Sequence, residues 1–162
     1  MEYTEIPQLS ISEAISASAK KISQFTGRSR RSEYWWTIAI VFVANIALKP
    51  LAGFVVGLLT IPLTFRRLHD TGRSGWWYGG YLLLVGLFIP FFISDIISII
   101  TAFDLWHVSL SILKKDALWF IALGVYKIIL LIFLCTDSQK DENKYGESPK
   151  YHYEETLDND NE

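Results

Sequence analysis

The chain has 162 residues, enough for one domain, and its 51% hydrophobic and 15% aromatic content gives a mean hydropathy of +0.25, high for a soluble domain. A net charge of −2 excludes the global basic footprint of a nucleic-acid-binding protein. The lone cysteine, Cys135, excludes an intrachain disulfide and reads as a small hydrophobe at the end of an apolar run.

Charges gather at the two ends, in residues 66–73 and around 95–116, and the apolar residues fall in four stretches between them. No signal peptide precedes the first stretch, so the first membrane helix is expected to serve as its own insertion signal. The expected fold is all-α, an integral membrane bundle of about four spans with an N-terminal surface helix. Its parts are a cytoplasmic segment 1–24, a membrane domain 25–137 and a disordered acidic tail 138–162.

Residues 1–9 read as irregular. Ser10-Ile11-Ser12-Glu13 has the spacing of a capping box and predicts a helix over 11–24. Ile11, Ile15 and Ile22 recur at helical spacing beside Lys20 and Lys21. That pattern fits an amphipathic helix on a membrane surface, and equally a short helix packed on the rest of the protein.

The motif Gly27-Arg28-Ser29-Arg30-Arg31-Ser32-Glu33-Tyr34-Trp35-Trp36 then opens an apolar block that reaches Phe65, broken only at Lys49-Pro50. Cations outside a Trp-Trp pair are the pattern of a membrane boundary, with Trp at the interface and aliphatic residues beyond. One helix of that length, at ~1.5 Å per residue, overshoots the ~30 Å hydrocarbon core. A hairpin at Lys49-Pro50, with spans of about 35–48 and 51–65, fits better. Gly53 and Gly57 form a weak Gly-x-x-x-Gly surface for close helix approach.

A second boundary motif follows, Arg66-Arg67-Leu68-His69-Asp70-Thr71-Gly72-Arg73-Ser74-Gly75-Trp76-Trp77. It opens a third span, about 76–94, interrupted by Gly79, Gly80, Gly86 and Pro90, as membrane helices tolerate. From Ile96 the apolar residues keep to one helical face, which predicts an interfacial helix over 96–112. A further short span is the alternative, disfavoured by Asp104 and His107. Residues 117–135 form the last span. The inner segments of this arrangement hold eleven cations (Lys20, Lys21, Arg28, Arg30, Arg31, Arg66, Arg67, Arg73, Lys140, Lys144, Lys150), and the outer segments hold three (Lys49, Lys114, Lys115). That bias places both termini inside.

The chemistry-bearing residues concentrate at the inner face. Arg28, Arg31, Glu33, Arg66, Arg67, His69, Asp70 and Arg73 meet there if the first two helices form a hairpin. Planar guanidinium forks suit phosphates and carboxylates, so the cluster reads as a site for anionic lipid headgroups. The plainer reading, which the pattern favours, is a topology signal with salt bridges pinning the helix ends. With five cations facing two carboxylates, Glu33 and Asp70 should each meet an arginine. Trp35, Trp36, Trp76 and Trp77 are the expected interface anchors. Lys127, inside the last span, is either part of a relay in a small transporter or a snorkelling side chain, with Asp95 and Asp116 as the nearest partners by depth. His69-Asp70 lacks the geometry of a catalytic dyad, and His69, His107 and His152 are too scattered to hold a metal. No enzyme activity, cofactor or metal is expected. Anionic lipid is the expected partner, with a homo-oligomer or protein partner left open and nucleic acid excluded.

These motifs, with the closing Glu142-Asn143-Lys144-Tyr145-Gly146-x-x-Pro149, resemble the domain of unknown function 805 family, which includes the YhaH-like proteins. The resemblance runs over about residues 14–150, with all three signatures in order. It implies a small helical bacterial inner-membrane protein with no established biochemical activity. The chain departs from the pattern between residues 95 and 117.

Overall fold

The computed structural model describes residues 2–47, 55–101 and 105–154. In chain order the elements are β1 (Glu2–Glu5), α1 (Ile11–Lys20), α2 (Arg31–Ala47), α3 (Ile61–Asp70), α4 (Trp76–Thr101), α5 (Leu105–Cys135) and β2 (Tyr151–Glu154). They form two compact units, Met1–Gly75 with Phe133–Glu162, and Trp76–Ile132.

The first unit joins the two ends of the chain. β1 and β2 pair antiparallel with Tyr3 opposite Tyr153 and Thr4 opposite His152, and the Ile6 N–H donates to the Lys150 carbonyl at 2.9 Å. Two expectations are thereby corrected. Residues 2–5 are a strand rather than irregular, and residues 138–154 are ordered rather than a disordered tail. The fold is mostly helical, with a small sheet that an all-α reading omits. Acidic composition pointed to solvation, but Tyr151-His152-Tyr153 has the aromatic content of a strand. Residues 155–162 lie outside the described residues.

The capping box forms as expected. Ser10 Oγ accepts the Glu13 N–H, and the Glu13 carboxylate accepts the Ser10 N–H at 2.8 Å. The Ser10 hydroxyl also holds the Glu13 carboxyl below its ordinary value. α1 packs on α2 through small residues: Ala14 is buried, and Ser18 Oγ shares a 2.8 Å hydrogen bond with Thr37 Oγ1. Ile11, Ile15 and Ile22 stay exposed.

α2 begins at Arg31, not Trp35, and its 17 residues span about 25 Å. The hairpin at Lys49-Pro50 and the residue Gly53 lie outside the described residues. A Cβ at Gly57 would touch nothing within 4 Å, so no close helix approach rests on it. Of the expected span 51–65, residues 51–54 lie outside the described residues; 55–58 are helical, 59–60 form a turn, and α3 follows with Pro62 in its first turn. α3 runs on past residue 65 and carries Arg66, Arg67, His69 and Asp70, all of them buried. It stops at Thr71, where Gly72 takes a φ of +75°.

In the second unit α4 and α5 run antiparallel. Trp77 and Tyr81 meet Tyr126, Phe88 meets Trp119 and Phe120, and Lys115 pairs with Asp95 at 2.5 Å. The separate interfacial helix expected over 96–112 does not form. Residues 96–101 continue α4 and residues 105–112 belong to α5. α4 and the Lys114–Cys135 stretch of α5 are the two helices among the described residues that are long and apolar enough to cross a membrane.

Candidate functional site

Three arginines form the centre of the first unit. Arg28 donates from Nε to Asp70 Oδ1 at 3.0 Å, and its Nη atoms reach the carbonyls of Asp70, Gln139, Asp141 and Gly146. That satisfies all five guanidinium donors. Arg67 donates to Asp70 Oδ2 at 2.5 Å and to the carbonyls of Ser29, Leu134 and Thr136. Arg66 reaches Glu33 Oε1 at 3.4 Å, Ser29 Oγ at 3.0 Å, and the carbonyls of Lys21 and Gln24. Arg67 and Asp70 are fully buried. Burying such charges costs several kcal/mol unless each is paired and hydrogen-bonded, as here.

The expected contacts of Glu33 and Asp70 with arginine both form. The rest of the donors of Arg28, Arg66 and Arg67 go largely to backbone carbonyls, acceptors outside the sequence expectation. Leu134 and Thr136 lie at the C-terminal end of α5, and Lys21 and Gln24 follow α1. Orphan carbonyls and the negative end of the helix dipole favour a cation at both places.

Arg31 and Arg73 stand apart from this group. Arg31 is exposed and pairs with Asp137 at 3.0 Å, a carboxylate outside the sequence motifs. Arg73 stacks on the Phe133 ring at 4.1 Å and donates to the Thr71 carbonyl. Lys150 joins Asp137 to Glu5 with contacts of 2.8 and 3.2 Å. Burial works to lower the Lys150 ammonium, but hydrogen bonds to Asp137, Tyr151 and Glu5 raise it. Burial works to raise the Asp137 carboxyl, and Lys150, the Ser138 N–H and Arg31 bring it below its ordinary value.

The closing motif completes the site. The Tyr145 ring stacks flat on His69, with centroids 3.7 Å apart and planes at 5°. Asn143 Nδ2 donates to the His69 carbonyl at 3.0 Å, Ser138 Oγ donates to Asp70 Oδ2, and the Gln139 N–H donates to the Asp70 carbonyl at 3.0 Å. Burial lowers the His69 imidazole, against the Gly27 carbonyl that its Nδ1 faces at 3.2 Å. Burial also lowers Arg66 and Arg67, offset by Glu33 and Asp70 respectively. It raises Asp70, against the pull of Ser138, Arg67 and Arg28.

Sequence reasoning missed Ser29, Ser138, Gln139 and Asn143. Asn143, Tyr145 and Gly146 had a signal, a turn-forming run set apart from any apolar stretch. His69 faces Tyr145 and the Gly27 carbonyl, contacts that pack and orient its ring.

The other singled-out residues lie elsewhere. Trp35, Trp36, Trp76 and Trp77 are exposed at the starts of α2 and α4. Lys127 is exposed on α5 and has no ion pair or hydrogen bond among the described residues. Its expected partner Asp95 sits opposite Lys115 instead, twelve positions away along α5, because the antiparallel register fixes that pairing. Cys135 is free and exposed; it lines a pocket with Arg30 and Arg31, not a purely apolar environment. Among the described residues no group of three or more His, Cys, Asp or Glu is placed to hold a metal.

Residues 46–147 match the model of a family described as Protein of unknown function (DUF805). The chain is 30% identical over 141 residues to Inner membrane protein YhaI of Escherichia coli (strain K12), covering 78% of this chain and 86% of the relative. It is 26% identical over 144 residues to Inner membrane protein YhaH of the same strain, covering 78% and 87%. No solved structure matches the chain significantly.

Proposed function

The chain belongs to the DUF805 family, and on that premise we propose a multi-pass inner-membrane protein that acts without catalysis, holding anionic lipid headgroups against a rigid cytoplasmic face. Pairing of β1 with β2 supports the topology. It keeps both chain ends on one side of the membrane, which requires an even number of crossings. The eleven-to-three cation bias supports that side being the cytoplasm. In this reading α4 and α5 form one pair of spans, and α2 belongs to the other. The four tryptophans sit at the interface.

The arginine cluster serves this function from beneath. Arg28, Arg66 and Arg67 have spent their donors on carboxylates and carbonyls, so they tie helix ends together and leave lipid contact to exposed cations. The observation that carries the lipid reading is the outer face of α1. Ala14 and Ser18 pack inward, while Ile11, Ile15, Ile22 and Phe25 stay exposed beside exposed Lys20 and Lys21. Apolar side chains next to lysines are what an interfacial helix presents to an anionic leaflet.

Hydrogen exchange of residues 11–20 in nanodiscs tests this. Exchange should be at least several-fold slower in anionic than in neutral lipid, and K20Q/K21Q should abolish the difference. Equal exchange in both lipids removes the lipid reading. Equally slow exchange in lipid-free detergent points instead to a protein partner or a second copy covering α1.

A further inference from the structure

The N-terminal end of α2 opens onto a pocket of about 500 Å3 with a mixed polar and apolar lining that includes Arg30, Arg31, Ser32, Trp35, Trp36 and Cys135. Arg30 is only 5% exposed. Its Nη atoms donate to the Pro7 and Ile6 carbonyls at 2.9 and 3.1 Å, yet among the described residues no carboxylate pairs with it. A buried guanidinium without a counter-ion is costly, so this one asks for an anion. The Ser32 hydroxyl oxygen is buried and has no hydrogen-bond partner among the described residues.

The charges around the pocket do not cancel. Arg31 and Lys150 are balanced by Asp137 and Glu5, which leaves the Arg30 charge unanswered. The first-turn N–H groups of α2 have no acceptor within the helix and carry the positive end of its dipole. One monoanion with several oxygen acceptors answers all of these at once. A phosphodiester is such a group, and helix N-termini combined with arginine suit it.

We propose that this pocket binds a single phosphate group, held by Arg30, Ser32 and the first turn of α2. The phosphate comes from an anionic phospholipid whose chains pass Trp35 and Trp36, or from a free phosphate. The site deepens the lipid reading above but uses residues distinct from the α1 face, so either can fail alone.

Cys135 supplies a native reporter, since it is exposed and lines the pocket. The experiment follows the rate of maleimide alkylation of Cys135 in the delipidated full-length protein, in detergent. The additions are phosphatidylglycerol, inorganic phosphate or diacylglycerol. Phosphatidylglycerol should slow alkylation about fivefold or more, and diacylglycerol should leave it unchanged. Protection by inorganic phosphate at equal strength assigns the site to free phosphate; protection by the lipid alone assigns it to a headgroup. R30Q should remove the protection. Because Arg30 also holds the Ile6 and Pro7 carbonyls, S32L provides a second variant that fills the pocket without touching those bonds, and it should remove the protection as well. Undiminished protection in the folded S32L protein overturns the site, as does equal protection by diacylglycerol. K20Q/K21Q should leave Cys135 protection intact; its loss there, with S32L unaffected, overturns the pocket and assigns phosphate binding to α1.

Discussion

Arg28 and Asp70, separated by 42 positions, form a fully buried ion pair at 3.0 Å in which the guanidinium also gathers four backbone carbonyls. The pair brings the first boundary motif, the second and the closing motif to one point. Asp70 is shared, since Arg67 and Ser138 also donate to it.

Asp70→Asn should therefore be severe. It keeps the volume but leaves two buried guanidiniums without their common carboxylate. Removing one partner of a buried pair costs about 3–5 kcal/mol. Thermal unfolding in detergent should show a large drop in midpoint, and a change equivalent to less than about 1 kcal/mol would contradict the burial argument.

Arg67→Lys should not be conservative. The guanidinium reaches two carbonyls at the end of α5, the Ser29 carbonyl and Asp70 together, and an ammonium cannot span them. A loss of about 2–3 kcal/mol is expected, from orphaned acceptors and a partly answered Asp70. Hydrogen exchange should rise at the last turn of α5 before it rises elsewhere.

His69 sets an acid limit. Burial lowers its folded pKa below the ordinary value near 6.5, so the unfolded chain binds the proton more readily. The stabilising contribution is complete above pH 6.5 and is lost as pH falls through that value towards the folded pKa. The wild-type unfolding midpoint should drop between pH 7.5 and pH 5.5, and His69→Gln should shrink that drop. An unchanged pH dependence in the variant would exclude His69 as its source.

Gly75→Ala should destabilise the junction before α4. A Cβ there would clash with the Phe65 ring, which is itself held edge-on to Phe25 and His69. Overpacking of this kind costs about 1–3 kcal/mol, read as a lower unfolding midpoint. Gly57→Ala is the matched control, with open space around its Cβ.

The convergence of the first two motifs was legible because the hairpin expected at Lys49-Pro50 would put Arg28 and Asp70 on one side, and the two do meet. The carbonyls that Arg28, Arg66 and Arg67 reach were not legible, because a backbone carbonyl leaves no letter in a sequence. Asp137 was missed because it is the last residue of the expected membrane domain, just past the apolar run and outside both boundary motifs. Asn143 and Tyr145 carry no hydrophobic period, so their place against His69 could not be read from pattern. The helix boundaries failed where charge was equated with a helix end. Asp95 lies inside α4, buried against Lys115, and α4 continues beyond it to Thr101. In α3 the period was masked because the buried face is itself built from Arg66, Arg67 and Asp70.

The central claim is that Arg28 and Asp70 act as one unit joining distant parts of the chain. A double-mutant cycle of Arg28→Gln, Asp70→Asn and the pair, followed by reversible unfolding of the detergent-solubilised protein, measures that coupling directly. We expect the double variant to be less destabilised than the sum of the singles by about 2 kcal/mol or more, since removing both partners leaves no lone buried charge between them. Additivity within about 0.5 kcal/mol would contradict the account and reduce the cluster to neighbouring charges.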